Sequence, residues 1–354
     1  MAFMLVSADC AAQVLWGRLT PGPNPVGFKL IREHDASRND RPMLISTWYP
    51  AAVSGSSRPV LFKDYLAAGV INQSFSEPNE DEKLAAYDEL HQTLERPFMF
   101  GGVDIPDDRY AKVLQLPTAA QWNLNAAPGK YPAVLVSTEP ESLSITAEFL
   151  ASNGFVVVAV NAPYGGEQPP DSLLWVEPTR DLLWLVKYAH SFSNVDVSRT
   201  TLMGFGGGIQ PAFLTTMKTE EIKGLVNLEG GVFGPRSRTA ASVDYAPEKM
   251  KTPMLHIVTP KQRKEDDVNL ERQLTNTTLY RAFIQHEGLM HHDFSVYGRV
   301  LNKGLKMRGQ LSDIADQTFV AAHKMILEFL KLEVEGRGQE FQMNTRYMPF
   351  ISLE

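Results

Sequence analysis

The chain has 354 residues, 44% of them hydrophobic, so it can bury a large core and is not a wholly disordered protein. Its 34 Lys and Arg residues against 41 Asp and Glu residues give a net charge of −7, which predicts no general attraction to nucleic acid or to an acidic membrane surface. Cys10, the one cysteine, excludes an internal disulfide and any zinc site built on several cysteines.

Residues 1–13 differ in character from the rest of the chain. Ala2–Val6 is a short apolar stretch, and Cys10-Ala11-Ala12 is similar to a small-residue cleavage site. A complete signal peptide would also have basic residues before a longer apolar segment. Two interpretations stay open: a signal peptide truncated by a misplaced start, which implies export, and a disordered N-terminus. No apolar run approaches the length of a membrane-spanning helix, so we expect no membrane span.

The first regular elements predict two strands followed by an insertion. Gly27–Asp35 and Met43–Tyr49 are rich in β-forming residues and bounded by turn residues, so they predict an antiparallel hairpin at a sheet edge. Residues 61–129 interrupt the pattern with a helix over Asp81–Arg96, which Asn79 would cap. This insertion is expected to pack over the sheet, either as a lid or as a structural cover.

Strands and helices alternate from Tyr131 onward. The predicted strands are Ala133–Ser137, Phe155–Val160, Thr200–Met203, Gly224–Leu228, Pro253–Val258 and Leu279–Gln285. The predicted helices are Ser144–Ser152, Pro178–Ser191, Ile209–Met217 and Phe319–Leu332. This alternation predicts an α/β fold with a mainly parallel, doubly wound sheet. We expect one domain over residues 14–332 and a polar C-terminal tail over residues 333–354.

A glycine run, Gly204-Phe205-Gly206-Gly207-Gly208, lies between a predicted strand and a predicted helix. Such a turn is typical of a phosphate-binding loop or of a nucleophile elbow, in which small residues flank an exposed nucleophile. The phosphate hypothesis is disfavoured because the Walker lysine and the G-x-G-x-x-G spacing are missing. The elbow hypothesis is favoured by two residues later in the chain. Glu229 ends the next strand, and His291 comes after the last one, in the order nucleophile, acid, histidine.

On these residues the chain resembles the α/β-hydrolase superfamily, in the branch with platelet-activating-factor acetylhydrolase and dienelactone-hydrolase-like esterases. The resemblance runs from about Gly27 to Leu332. The matching segments are Arg41–Pro50, Gly129–Ser137, Leu150–Val160, the glycine run and His291-His292-Asp293-Phe294. The resemblance implies an α/β-hydrolase fold and Ser-His-Asp/Glu esterase chemistry without a cofactor. It also implies that His291 is the catalytic histidine and that the amide of Gly207 serves the oxyanion hole.

The departures from the family pattern concern two parts of its mechanism. The family elbow reads Gly-x-Ser-x-Gly, whereas the central position here is Gly206, which has no side chain and cannot form an acyl-enzyme. The family strand before the first crossover helix ends in His-Gly-x, and the third residue donates a backbone N–H to the oxyanion. Those places hold Thr138, Glu139 and Pro140. Proline has no N–H, and a carboxylate would repel a developing oxyanion.

Other residues offer alternatives at the same site. His292 would take the histidine role if the alignment shifted by one residue. Asp266 and Asp267 follow the next strand, the other family position for the acid, but they belong to a charged run that is expected to face solvent. The cluster from His291 to Asp293 is too compact in sequence for a metal site, since adjacent ligands point apart. No metal or cofactor is therefore expected.

These residues support three functional hypotheses. The leading one is a degenerate hydrolase without the serine nucleophile, whose pocket binds an ester-like small molecule or a partner. The alternative is an active hydrolase or lyase that uses His291 with Glu229, Glu139 or Glu141 as general acid and base, without a covalent intermediate. The third is a structural subunit, which predicts a filled pocket and a large apolar surface patch.

Overall fold

The fold is built on one mixed β-sheet. It is seen in a computed structural model that describes residues 14–52, 57–71, 75–161, 169–234, 237–266, 271–341 and 350–353. The expectations for residues 1–13, for Cys10 and for Asp267 lie outside these residues. The described strands are β1 (Val26–Asp35), β2 (Arg41–Pro50), β3 (Pro59–Leu61), β4 (Pro117–Trp122), β5 (Tyr131–Ser137), β6 (Val156–Asn161), β7 (Val195–Phe205), β8 (Ile222–Leu228), β9 (Met254–Val258), β10 (Leu279–Ile284) and β11 (Ile351–Leu353).

Helices cover both faces of this sheet. Those described are α1 (Phe62–Val70), α2 (Glu80–Glu95), α3 (Pro97–Phe100), α4 (Asp107–Leu114), α5 (Ser144–Ser152), α6 (Val176–Tyr188), α7 (Ile209–Thr216), α8 (Pro260–Arg263), α9 (Val296–Arg299) and α10 (Gln310–Val334). The apolar sides of α5 and α10 join one buried cluster, and those of α6 and α7 join another on the opposite face. The predicted α/β architecture is therefore confirmed.

The centre of the sheet is parallel. The described strands follow the order β11-β10-β9-β8-β7-β5-β6-β2-β1-β4-β3, and all neighbours from β10 to β6 pair in parallel. The run Val156-Val157-Val158-Ala159 in β6 is fully buried, as expected for a strand with helices on both faces. Strands β5 and β7 are parallel neighbours in the middle of the sheet, so their carboxyl ends lie side by side. These two ends carry the candidate site.

The N-terminal hairpin is antiparallel as predicted, with Val26 opposite Pro50 and Asp35 opposite Arg41. The expectation that it forms a sheet edge is wrong. Strand β4 pairs in parallel with β1, and β3 pairs with β4 outside it. Part of the insertion over residues 61–129 therefore extends the sheet, which the sequence pattern did not predict because β3 and β4 are short.

A buried carboxyl group fastens the insertion to the body of the fold. Glu148 on α5 accepts hydrogen bonds from the Tyr65 hydroxyl (2.6 Å), the Trp16 indole N–H (2.9 Å) and the Ala119 backbone N–H (3.1 Å). Burial raises the pKa of Glu148, while these donors act in the opposite direction. One side chain thus joins the N-terminal segment, α1 and β4 to the sheet-covering helix.

The C-terminal tail, which the sequence predicted only to be polar, contains regular structure in its described part. Helix α10 continues to Val334, and β11 pairs antiparallel with β10, with Ile351 opposite Ile284. Ile351 is fully buried, and β11 is the last described strand on this side of the sheet. No helix in the described ranges is long and apolar enough to cross a membrane.

Candidate active site

The glycine run forms the turn between β7 and α7. Strand β7 ends at Phe205, a single 3₁₀ turn covers Gly206–Gly208, and α7 begins at Ile209. Gly206 has a φ of +54°, in the left-handed region that residues with a side chain rarely adopt. Gly206 therefore stands at the apex of a sharp strand-to-helix turn, the geometry that presents a nucleophile in an elbow.

Two other glycines of the run are required by close packing. A Cβ on Gly204 would lie 2.5 Å from the Cα of Ile209, and one on Gly208 would lie 1.6 Å from the carbonyl oxygen of Ser137. A Cβ on Gly207 would meet no heavy atom within 4 Å. The required positions are therefore the two that flank the apex. They are the small-residue positions of the elbow pattern.

His291 lies directly over the apex of this turn. It begins a 3₁₀ turn, His291–Phe294, after β10, and its ring stacks on Phe205 at 4.4 Å between centroids and 13° between planes. A Cβ built on Gly206 would lie 3.0 Å from both Cε1 and Nε2 of that ring. A side chain at residue 206 would thus point at the histidine, and the ring already stands close to the space such a side chain needs.

The surroundings of His291 favour its neutral form. Burial, together with a smaller effect of the neighbouring His292, lowers the pKa of His291 to about 4, although a hydrogen bond to the backbone of Glu229 opposes the shift. The side chain keeps 34% of its surface exposed, which leaves one side of the ring open to the cavity. A neutral imidazole is the form that can accept a proton, but a pKa this low makes it a weak base.

Glu229 directly follows β8 and has a φ of +54°, and its carboxyl group is buried. It accepts hydrogen bonds from the backbone N–H and the hydroxyl of Thr259. Burial raises the pKa of Glu229 to about 8, so the group is mostly protonated at neutral pH. Its Oε2 lies 3.9 Å from Nδ1 of His291, beyond hydrogen-bond distance. The acid and the histidine are thus brought together without forming the short charged pair of a working triad.

The other candidate acid has different partners. The carboxylate of Asp266 lies 2.9 Å from Nε2 of His256, whose Nδ1 lies 2.6 Å from the side-chain amide of Asn227. His256, Asp266 and Glu271 form a group whose possible metal-ligating atoms lie within 4.8 Å of one another. Both nitrogens of His256 are already engaged, and Glu271 binds Arg281 at 2.7 Å. Protein contacts therefore account for this group.

A cavity of about 590 Å³ opens above Gly206. Its described lining residues are Thr93, Arg96, Met99, Ser137, Thr138, Glu139, Ser142, Val160, Trp175, Pro178, Asp181, Leu182, Phe205, Gly206, Gly207, Gly208, Pro211, His291, His292 and Tyr297. Of the expected oxyanion-hole residues, Gly207 and Glu139 line this cavity. Pro140 lines a separate, smaller space with Tyr65, Gly69 and Glu141.

Sequence reasoning missed several residues of this cavity. Arg96 and Met99 come from the middle of the insertion, where the sequence carries no motif that marks a site. Asp181 lines the cavity and is held by Arg38 at 2.7 Å and Arg41 at 3.0 Å. Trp175 also lines the cavity, and its indole N–H donates to the Ser237 carbonyl.

Comparison with known proteins supports the fold. No protein-family model matches the chain, and no curated protein matches it. Among solved structures it is similar to a ferulic acid esterase from Streptomyces cinnamoneus, with a TM-score of 0.63 and 15% identity over 94% of this chain and 98% of that chain. A structure of DcsB in complex with its substrate analogue matches 59% of this chain and 92% of that chain, with a TM-score of 0.40 and 15% identity. The chain therefore has an esterase-like α/β fold.

The glycine packing predicts opposite effects on stability at two adjacent positions. Gly208→Ala should destabilise the protein by about 3 kcal/mol or more, because its Cβ would overlap the Ser137 carbonyl and force the turn to move. Gly207→Ala should be neutral or stabilising by up to about 1 kcal/mol, because the space is open and alanine restricts the unfolded chain. Urea unfolding of both variants measures this. Equal effects of the two changes would contradict the elbow geometry.

The environment of His291 predicts its titration. The chemical shift of its Hε1 proton should stay at the value of a neutral imidazole from pH 8 down to pH 5.5. It should then change on further acidification with a midpoint near pH 4. NMR titration, with the resonance assigned by its loss in His291→Gln, measures the midpoint. A midpoint at or above 6.5 would mean that the ring is not desolvated as described.

Proposed function

We propose that this protein is a hydrolase-like pseudoenzyme that binds an ester-like small molecule in the cavity above Gly206 and forms no acyl-enzyme. One observation carries the proposal: the residue at the apex of the elbow is a glycine, and its missing side chain would point at His291 from 3.0 Å. Serine chemistry needs an oxygen at that place, and a hydrogen atom cannot attack a carbonyl carbon. The turn is kept while the reacting atom is absent.

The protonation states of the neighbouring groups agree with this proposal. In a working triad a carboxylate stabilises the imidazolium that forms when the histidine takes a proton. Glu229, with a pKa of about 8, is mostly uncharged at neutral pH, and His291 has a pKa of about 4. Each group favours its neutral form because it is desolvated. We infer that proton transfer to His291 is unfavourable in the free protein.

The oxyanion hole is the second impaired part in this proposal. The amide of Gly207 is the one donor that we assign to it. Pro140 has no N–H and lines the other space, while the carboxylate of Glu139 lines the cavity. Loss of one oxyanion donor typically costs roughly 10²–10³ in rate, and a nearby negative charge opposes the oxyanion further.

The lining of the cavity suits a small amphipathic ligand. Phe205, Trp175 and Tyr297 offer aromatic surface, and Thr93 and Ser142 offer hydroxyl groups. A volume of about 590 Å³ is ample for a small organic molecule. The hypothesis of a purely structural subunit predicts a filled cavity, and this open cavity disfavours it.

A second candidate function is non-covalent acid–base catalysis by His291. The observation that favours it is the open side of the His291 ring, which faces the cavity beside Glu139. A water molecule activated there would attack a bound substrate directly. This candidate predicts steady turnover that falls on acidification as His291 becomes protonated. A panel that includes methyl ferulate, chosen because the similar structure is a ferulic acid esterase, tests it.

The absence of a nucleophile at residue 206 predicts no reaction with serine-directed probes. A fluorophosphonate should leave the intact mass of the protein unchanged, and p-nitrophenyl acetate should give no burst of p-nitrophenol. Mass spectrometry and stopped-flow absorbance measure the two outcomes. Stoichiometric labelling that maps to another serine of the cavity, such as Ser142, would contradict the proposal and indicate a displaced nucleophile.

The substitution Gly206→Ser should restore little esterase activity. The new Cβ meets the His291 ring at 3.0 Å, so the stacked ring must shift, and the residue keeps a strained positive φ. Replacement of Thr138-Glu139-Pro140 by His-Gly-Gly in the same variant should raise activity by more than the serine alone, because it removes the carboxylate of Glu139 from the cavity. Hydrolysis of p-nitrophenyl acetate measures kcat/KM.

The control for this experiment is Gly206→Ala, which adds the same Cβ without the hydroxyl. It should match the serine variant in Tm and show no activity. High turnover from Gly206→Ser alone would contradict the account, because it would mean that the histidine, the acid and the oxyanion hole are all competent.

A further inference from the structure

We propose that Arg96 makes the cavity selective for a ligand with a negative charge at the end that faces the insertion. The inference rests on the proposed function, in which the cavity binds a small molecule. It adds the charge of that molecule and the direction in which it lies. Among the described lining residues of the cavity, Arg96, Glu139 and Asp181 carry charged side chains, and Arg96 is the cation of the three.

The backbone around Arg96 fixes where its side chain starts. Arg96 lies between α2 and α3, with φ −60° and ψ 132°, and its N–H donates to the Thr93 carbonyl. Pro97 comes next and begins α3, which favours this extended conformation at the preceding residue. Thr93 and Met99, on either side of Arg96, line the same cavity. Arg96 thus lines the cavity from a defined junction between two helices.

Arg96 differs from the other charged lining residues in its partners. Asp181 is neutralised by Arg38 and Arg41. Glu139 accepts a hydrogen bond from the Thr138 hydroxyl at 2.9 Å. Across the described ranges, no carboxylate lies within salt-bridge distance of the Arg96 guanidinium. An arginine without an ion-pair partner at a ligand cavity retains its full capacity to bind an acidic group.

The position of Glu139 sets the direction of the ligand. Glu139 lies just after β5, whose last residue, Ser137, contacts the elbow through its carbonyl oxygen and Gly208. Glu139 therefore comes from the same part of the fold as the elbow, whereas Arg96 comes from the insertion, and we infer that the two charges face different parts of the ligand. His291 and His292 add no positive charge on the Gly206 side at neutral pH, because burial lowers the pKa of both. An acidic group is repelled at the Gly206 end and attracted at the Arg96 end.

Two fluorescent probes that differ in one charge test this inference. The anionic probe is 8-anilinonaphthalene-1-sulfonate, and the neutral one is N-phenyl-1-naphthylamine, which lacks the sulfonate. Arg96→Gln should weaken binding of the anionic probe roughly 10- to 100-fold and change the neutral probe by less than about twofold. Arg96→Lys should keep part of the affinity for the anion. Arg337→Gln, which removes the same charge from an exposed site, should change neither probe.

Two further variants locate the probes. Gly207→Leu should weaken the binding of both probes, because residue 207 lines the cavity and its side chain would occupy open space there. Glu139→Gln should increase the affinity for the anionic probe by a much smaller factor than Arg96→Gln decreases it. A gain as large as that loss would overturn the orientation. Unfolding midpoints show that each variant is folded.

The outcomes separate this inference from the proposed function. If both probes bind and respond to Gly207→Leu, but Arg96→Gln affects them equally or not at all, then the charge selectivity is wrong and cavity binding stands. If neither probe binds, or if their binding is insensitive to Gly207→Leu, then the proposed binding function fails and this inference fails with it.

Discussion

The candidate site depends on one close contact between two neighbouring strands. The turn after β7 packs so tightly on the end of β5 that a Cβ on Gly208 would overlap the Ser137 carbonyl. This contact, together with the packing of Gly204 on Ile209, holds the turn in its sharp form and puts Gly206 at its apex below His291. A relaxed turn would separate the glycine from the histidine and fill the cavity above them, so the geometry of the whole site depends on this packing.

Burial then determines the charge state of the site. His291 and Glu229 are both desolvated, which lowers the pKa of the histidine and raises that of the acid, so both are mostly neutral at pH 7. The Oε2 atom of Glu229 and the Nδ1 atom of His291 are 3.9 Å apart. A serine enzyme needs the opposite arrangement, in which the acid is ionised and tightly bonded to the histidine. Glu139 and Arg96 also line the cavity, and we assign them to different parts of the ligand.

Much of this fold could be predicted from the sequence, because buried parallel strands such as β6 are continuous apolar runs and helices such as α5 end at clear stop signals. The short strands β3 and β4 could not, since three to six residues carry little periodicity. The elbow was indicated by its glycines. The contribution of Arg96 could not be predicted, because it depends on how a helix junction in the insertion packs against residues far away in the chain.

The most direct test of the central claim is a single-turnover experiment. The protein, in excess over methyl ferulate, is incubated for many hours at pH 7.5 and then denatured, and the ester and free acid are quantified by chromatography. The account predicts that the ester is recovered intact, with no more acid than in buffer or with His291→Ala. Release of the acid by the natural protein, and its loss in His291→Ala, would contradict the claim that this site binds without catalysis.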